Sequence, residues 1–173
     1  MSAVAPIVGT ETYISFADAD ALAGDRLNAD DWRAAIAAHQ AEHDAIEQSG
    51  AAAIAPGIPA LCRRALITAT ATMDRLQWTG RPKTSQQPLA WPRIVTGLPD
   101  ATIPVPVATA CAELAFYLLS PEATQPDGVQ LTMIGQSMET RFASVSDELP
   151  RHVRRLVEPY LAVRSKHSSA LLF

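Results

Sequence analysis

Apolar residues recur every three or four positions along most of this chain, and the breaks in that rhythm divide it into elements. Ser15 precedes "FADADALAGD" with Asp18 three residues on, a relative of the capping box, which predicts a short helix from Phe16 to Asp25. In "NADDWRAAIAAHQAEHDAIEQSG", Trp32, Ile36, His39 or Gln40, His43 and Ile46 share a face, acids crowd the start and Gly50 closes the run, so a second amphipathic helix is expected. The small-residue linker "GAAAIAPGIP" then leads to a third helix, Ala60 to Leu76. Its Cys62, Leu66, Ala69, Met73 and Leu76 point inward, opposite Arg64, Thr68 and Arg75.

A fourth helix, Val105 to Leu119, has Pro106 in its first turn and Pro121 just past its end. Glu113 is its sole charge, which predicts the central helix of a bundle or one packed on another subunit. The period then changes to two: Val129, Leu131 and Met133 alternate, Gly135 intervenes, and Met138, Thr140 and Phe142 alternate again. This predicts a β-hairpin over residues 129–143, the one β element expected. A last helix, Glu148 to Glu158, turns Val153, Leu156 and Val157 inward and Arg151, Arg154 and Arg155 outward, with Pro159 ending it. The fold class is therefore mostly α: a bundle of four to five helices in a single domain, residues 1–161, followed by a flexible C-terminal arm, residues 162–173.

Composition agrees with a folded helical chain, since 48% of its 173 residues are hydrophobic and 18% charged. Cys62 and Cys111 lie apart within apolar helical patterns, as small buried side chains in a reducing, cytosol-like compartment would. No leader pattern opens the chain and no run of about 18 apolar residues occurs, so no membrane association is expected. Charge is uneven: residues 1–60 carry nine acids against two arginines, whereas the remainder holds twelve basic and nine acidic residues. The only dense basic run is "RHVRR", Arg151 to Arg155.

Between the third and fourth helices, Thr79 to Pro104 is too long for an idle connection. Pro82, Pro88, Pro92 and Pro99 stiffen it, Trp78 and Trp91 supply large rigid surfaces, and Arg81, Lys83 and Arg93 give it a cationic side. The indoles plug the end of the bundle or make a protein contact, where tryptophan and arginine dominate binding. Catalytic signals are weak. "HQAEH", His39 to His43, has the H-x-x-E-H form of a zinc site, with Glu42 between the imidazoles, but no third ligand is evident and a solvated helix face is the preferred reading. Glu113 reads as a carboxylate paired with a base on a neighbouring helix or subunit. No cofactor motif, no metal site and no enzyme are predicted.

Three stretches, "ETYISFADADAL", "ATATMDRLQWTGRPKTSQQPLAWPRI" and "IPVPVATACAELAFYLL", together resemble a family of tailed-bacteriophage virion proteins often labelled DnaT-like single-stranded-DNA-binding proteins. The resemblance covers Thr12 to Leu119, with Trp78 to Arg93 as its most specific part, and the longer segment between Trp32 and Leu61 departs from the pattern. In structural terms these proteins look like head–tail connectors, or adaptors, of siphophage-type virions. The resemblance implies a structural subunit of a dodecameric ring at the head–tail interface, beneath the portal and above a stopper or tail-completion protein. Such a subunit is assembled in the host cytoplasm, and double-stranded DNA passes through its channel without specific binding. On this reading Trp78, Arg81, Trp91, Pro92 and Arg93 form a structural or interface loop, Glu113, Phe116 and Tyr117 a subunit-packing surface, and Arg164, Lys166, Leu171, Leu172 and Phe173 a portal-docking arm.

The rival takes the label literally, as a replication protein that binds single strands. It needs a basic groove with aromatic platforms, for which Trp78, Trp91, Arg81, Lys83 and Arg93, extended by Arg151, Arg154 and Arg155, are the candidates. The net charge of −4 weighs against it. A metal-dependent hydrolase built on His39, Glu42 and His43 comes third.

Overall fold

Ser15 caps the first helix as its sequence requires: its hydroxyl oxygen accepts from the Asp18 backbone N–H at 3.0 Å and α1 runs Phe16–Gly24. A computed structural model describes residues 2–49, 57–98, 102–121, 129–134, 137–142 and 149–162 of the chain. Four further helices follow, α2 (Asp30–Gln48), α3 (Ala60–Asp74), α4 (Val105–Leu119) and α5 (Arg151–Val157). The mostly helical architecture with a hairpin near the C-terminus is as expected.

Helix α4 is the hub. Eight of its 15 residues are buried, including Val107, Cys111, Leu114 and Phe116, and it packs on α3 and α5 and more lightly on α1 and α2. Its apolar circumference is thus covered by the chain's own helices. One aromatic cluster fixes α1 and α2 to it: Phe16 stacks on Trp32 at 5.5 Å, and Trp32 meets Phe116 edge-on at 5.2 Å. Trp32 is the only buried residue of α2, and the C-terminal part of that helix projects from the bundle with Ile46 exposed.

The hairpin forms from β5 (Val129–Ile134) and β6 (Ser137–Phe142), paired from Val129↔Phe142 to Ile134↔Ser137. It is not the one β element. Residues β1 (Ser2–Ala3) and β2 (Ile58–Pro59) form an antiparallel ladder, and so do β3 (Arg81–Pro82) and β4 (Arg93–Ile94) inside the long loop. Pairs this short carry no period that a sequence could reveal. Helix α5 starts at Arg151 rather than Glu148, because Pro150 takes the cap position with extended backbone, and a 3-10 turn, Glu158–Tyr160, follows it at Pro159. Among the described residues no helix is long and apolar enough to cross a membrane.

Candidate nucleic-acid interface

The loop after α3 is built around its own backbone. The Arg93 guanidinium donates to three carbonyls, Thr79 O at 2.8 Å, Gly80 O at 2.7 Å and Ala90 O at 3.2 Å. Partial burial lowers its pKa, but an arginine keeps its charge. Gln87 works from the other side, donating to Leu89 O and Pro92 O and accepting from the Thr84 N–H. Gly80 takes φ +69°, and a Cβ there would fall on the Ile94 carbonyl oxygen, so only glycine lets β3 and β4 approach. The Trp91–Pro92 peptide bond is cis. Asp74, at the end of α3, anchors the loop to the body by accepting from the Ala90 N–H at 3.1 Å and from the Tyr13 hydroxyl.

Both loop indoles face inward. Trp78 is 7% and Trp91 0% exposed; they meet edge-on, and Trp91 meets Tyr160 the same way at 5.9 Å. Trp78 donates its Nε1–H to Met73 O at 3.1 Å, whereas Trp91 Nε1 is the one buried side-chain donor without a partner among the described residues. The stacking platform imagined for these two side chains is therefore absent, since neither offers a ring face to a base.

What the fold does bring together is charge. Thr79 donates through N and Oγ1 to Tyr160 O at 2.8 and 3.0 Å, Ala162 N donates to Gln77 O at 2.7 Å, and Trp78 bridges Leu161. The base of the loop and the exit of α5 are thus one joined piece of structure. Residues 75–98 and 149–162 contain Arg75, Arg81, Lys83, Arg93, Arg151, Arg154 and Arg155 against the single acid Glu158. All of the basic side chains except Arg93 are exposed. Two basic segments some 70 positions apart in sequence are thus joined at one end of the fold.

One surface next to α5 is acidic. An open cleft of about 390 Å³ is lined by Asp30, Asp31, Tyr117 and His152 among others, a poor setting for phosphates. Beside it Glu113, 7% exposed, pairs with Arg26 Nε at 2.8 Å, accepts from Asn28 Nδ2 at 3.0 Å and lies 4.0 Å from His152 Nε2. Glu113 and Phe116 lie in the chain's own core and Tyr117 at the cleft. Pro92 is half-buried beneath the loop. Arg164, Lys166, Leu171, Leu172 and Phe173 lie outside the described residues. His39, Glu42 and His43 do not gather as one set: His39 Nε2 meets Gly57 O at 3.0 Å, and among the described residues the candidate donors that come together are the half-buried His43 and the exposed Asp44 and Glu47.

Sequence reasoning missed Asp74, Gln87 and Tyr160 as supports of this end. Asp74 alone left a signal, an acid at a helix C-terminus where the dipole disfavours negative charge.

The family described as "Putative DnaT-like ssDNA binding protein" matches residues 5–171, nearly the whole chain. The chain belongs to this family. No curated protein and no solved structure matches it. The match corrects the head–tail connector reading: what the family's description names is binding to single-stranded DNA, the reading ranked second from sequence, and nothing in it points to a portal, a ring or a virion. The net charge of −4 averages an acidic stretch, residues 1–60, with the basic segments further on, while a polyanion feels charge only within a Debye length of roughly 8 Å.

Proposed function

We propose that this DnaT-like protein binds single-stranded DNA at the basic end formed by the 79–93 loop and α5. It acts as a binding protein and not as an enzyme. The observation that carries the reading is the backbone junction between Thr79 and Tyr160, which ties the loop bearing Arg81 and Lys83 to the exit of α5 with its arginine run, in a chain of this family. Neutralising phosphates releases condensed counterions, so lysine and arginine gathered on one surface supply affinity without needing a shaped pocket. Because Arg93 and Gln87 fix the loop before any ligand arrives, little ordering entropy opposes binding. Fluorescence anisotropy of a labelled oligothymidylate, titrated with the full chain at low and then physiological salt, tests this. Saturable binding that weakens steeply with salt is expected; an unchanged anisotropy at low salt would sink the reading.

A further inference from the structure

Resting on that reading, we propose that this protein holds a nucleic-acid strand by its sugar–phosphate backbone alone, along Arg81 and Lys83 of the loop and Arg151 and Arg155 of α5, leaving the bases unread. Single-strand binders ordinarily combine a cationic track with aromatic rings on which bases stack. Here the track is present, and among the residues whose side chains the structure describes, which leave out Phe142 and Phe173, the rings are spoken for. Trp32, Trp78, Trp91, Tyr13 and Phe116 are each no more than 7% exposed. Of the half-buried rings, Phe16 lies against Trp32 and Tyr160 against Trp91, while Tyr117 lines the cleft with Asp30 and Asp31, whose carboxylates repel a phosphate chain.

The same division holds for hydrogen bonding. Arg93 and Gln87 are the loop's rigidly held polar side chains, and both spend their donors on loop carbonyls. Arg93 is therefore a positioning residue that presents Arg81 and Lys83, which stand exposed on and beside β3. Arg151 and Arg155 are exposed one helical turn apart on α5. Thr79 and Tyr160, whose backbones touch, are two residues from Arg81 and five from Arg155, so chain geometry keeps these two Cα atoms within roughly 25 Å. That is a span for several nucleotides. Exposed on flexible stems, these cations act on a phosphate chain through counterion release, which needs charge and no fixed geometry.

The test compares the full chain's anisotropy titrations of an oligothymidylate, an abasic oligodeoxynucleotide of equal length and a mixed-sequence single strand. All three should bind within about threefold of one another with a common salt slope, and tryptophan emission should stay unchanged at saturation. The double variant R81A/K83A should flatten the slope by about 1.4, near 0.7 for each single-strand phosphate released, with an unchanged far-ultraviolet circular dichroism spectrum. R81K should keep the wild-type affinity, because a phosphate needs only the charge. Affinity for the abasic strand lower by tenfold or more, quenched tryptophan emission, or loss of binding in R81K would overturn this inference while leaving single-strand binding intact. Failure of all three strands to bind would instead remove the underlying reading and this inference with it.

Discussion

The indole of Trp91 meets that of Trp78 edge-on, with ring centroids 5.6 Å apart and planes at 81°. Trp91 is fully buried between Trp78 and Tyr160, so it joins the loop to the segment leaving α5 from within one chain. Replacing it with alanine removes both edge contacts and opens a large cavity. Trp91→Ala should lower stability by about 3–5 kcal/mol, read as an earlier urea midpoint. Trp91→Phe keeps a ring and removes the unpartnered Nε1–H, and should retain most of that stability. Equal losses in both variants would mean that the ring contacts are not what matters.

Glu113 supplies the second prediction. Its carboxylate is nearly sequestered, and its Arg26 partner is about half exposed. Removing one member of a buried pair costs roughly 3–5 kcal/mol, and solvent at Arg26 reduces this, so Arg26→Ala should cost roughly 1–2 kcal/mol. Glu113→Gln removes the charge and keeps an acceptor for Asn28, and should be milder. Chemical denaturation of the two variants checks the order, which reverses if the pair contributes nothing.

Asp74 gives a pH dependence. Burial pushes its pKa above the ordinary 3.8, outweighing the Ala90 N–H that lowers it. The folded state therefore binds this proton more tightly than the unfolded chain. Its contribution is fully present below 3.8 and is lost as pH rises through the raised folded value. Asp74→Asn keeps the acceptor for Tyr13 and Ala90 without the titration. The stability of the native chain relative to this variant should decline with rising pH across the acid range and be level at neutrality. A difference that grows with pH would refute the sign.

Both thiols should be silent. Burial pushes Cys62 and Cys111 up to about 12, and Cys111 also lies 3.3 Å from the Thr70 hydroxyl. At pH 8 the thiolate fraction is on the order of one in ten thousand, and the thiolate is the reactive form. A disulfide reagent should label neither cysteine in the folded protein and both in denaturant. Rapid labelling of one equivalent without denaturant would place a thiol at the surface.

Where a physical rule acts locally, the sequence was readable. Ser15 capped α1 because its hydroxyl meets an N–H three residues away, and the near absence of charge from Val105 to Leu119 marked α4 as a bundle's central helix or a face for another subunit, of which the fold shows the first. The loop was legible by half. Its prolines and tryptophans indicated packing, but the edge-on contact with Tyr160 joins residues some 70 positions apart and leaves no periodic trace. The basic end was hidden for the same reason: the segments that carry Arg81 and Arg155 are joined only through the Thr79–Tyr160 junction. Summing charge over the whole chain then concealed what the fold had separated.

Every residue from Gly80 to Gln86 is exposed, whereas the paired indoles that anchor the loop lie buried below that tip. The tip is consequently a site where a reporter can be installed. Ser85→Cys would place one accessible thiol on a chain whose two native thiols are sealed in its core, so a single dye would report from the edge of the proposed binding surface.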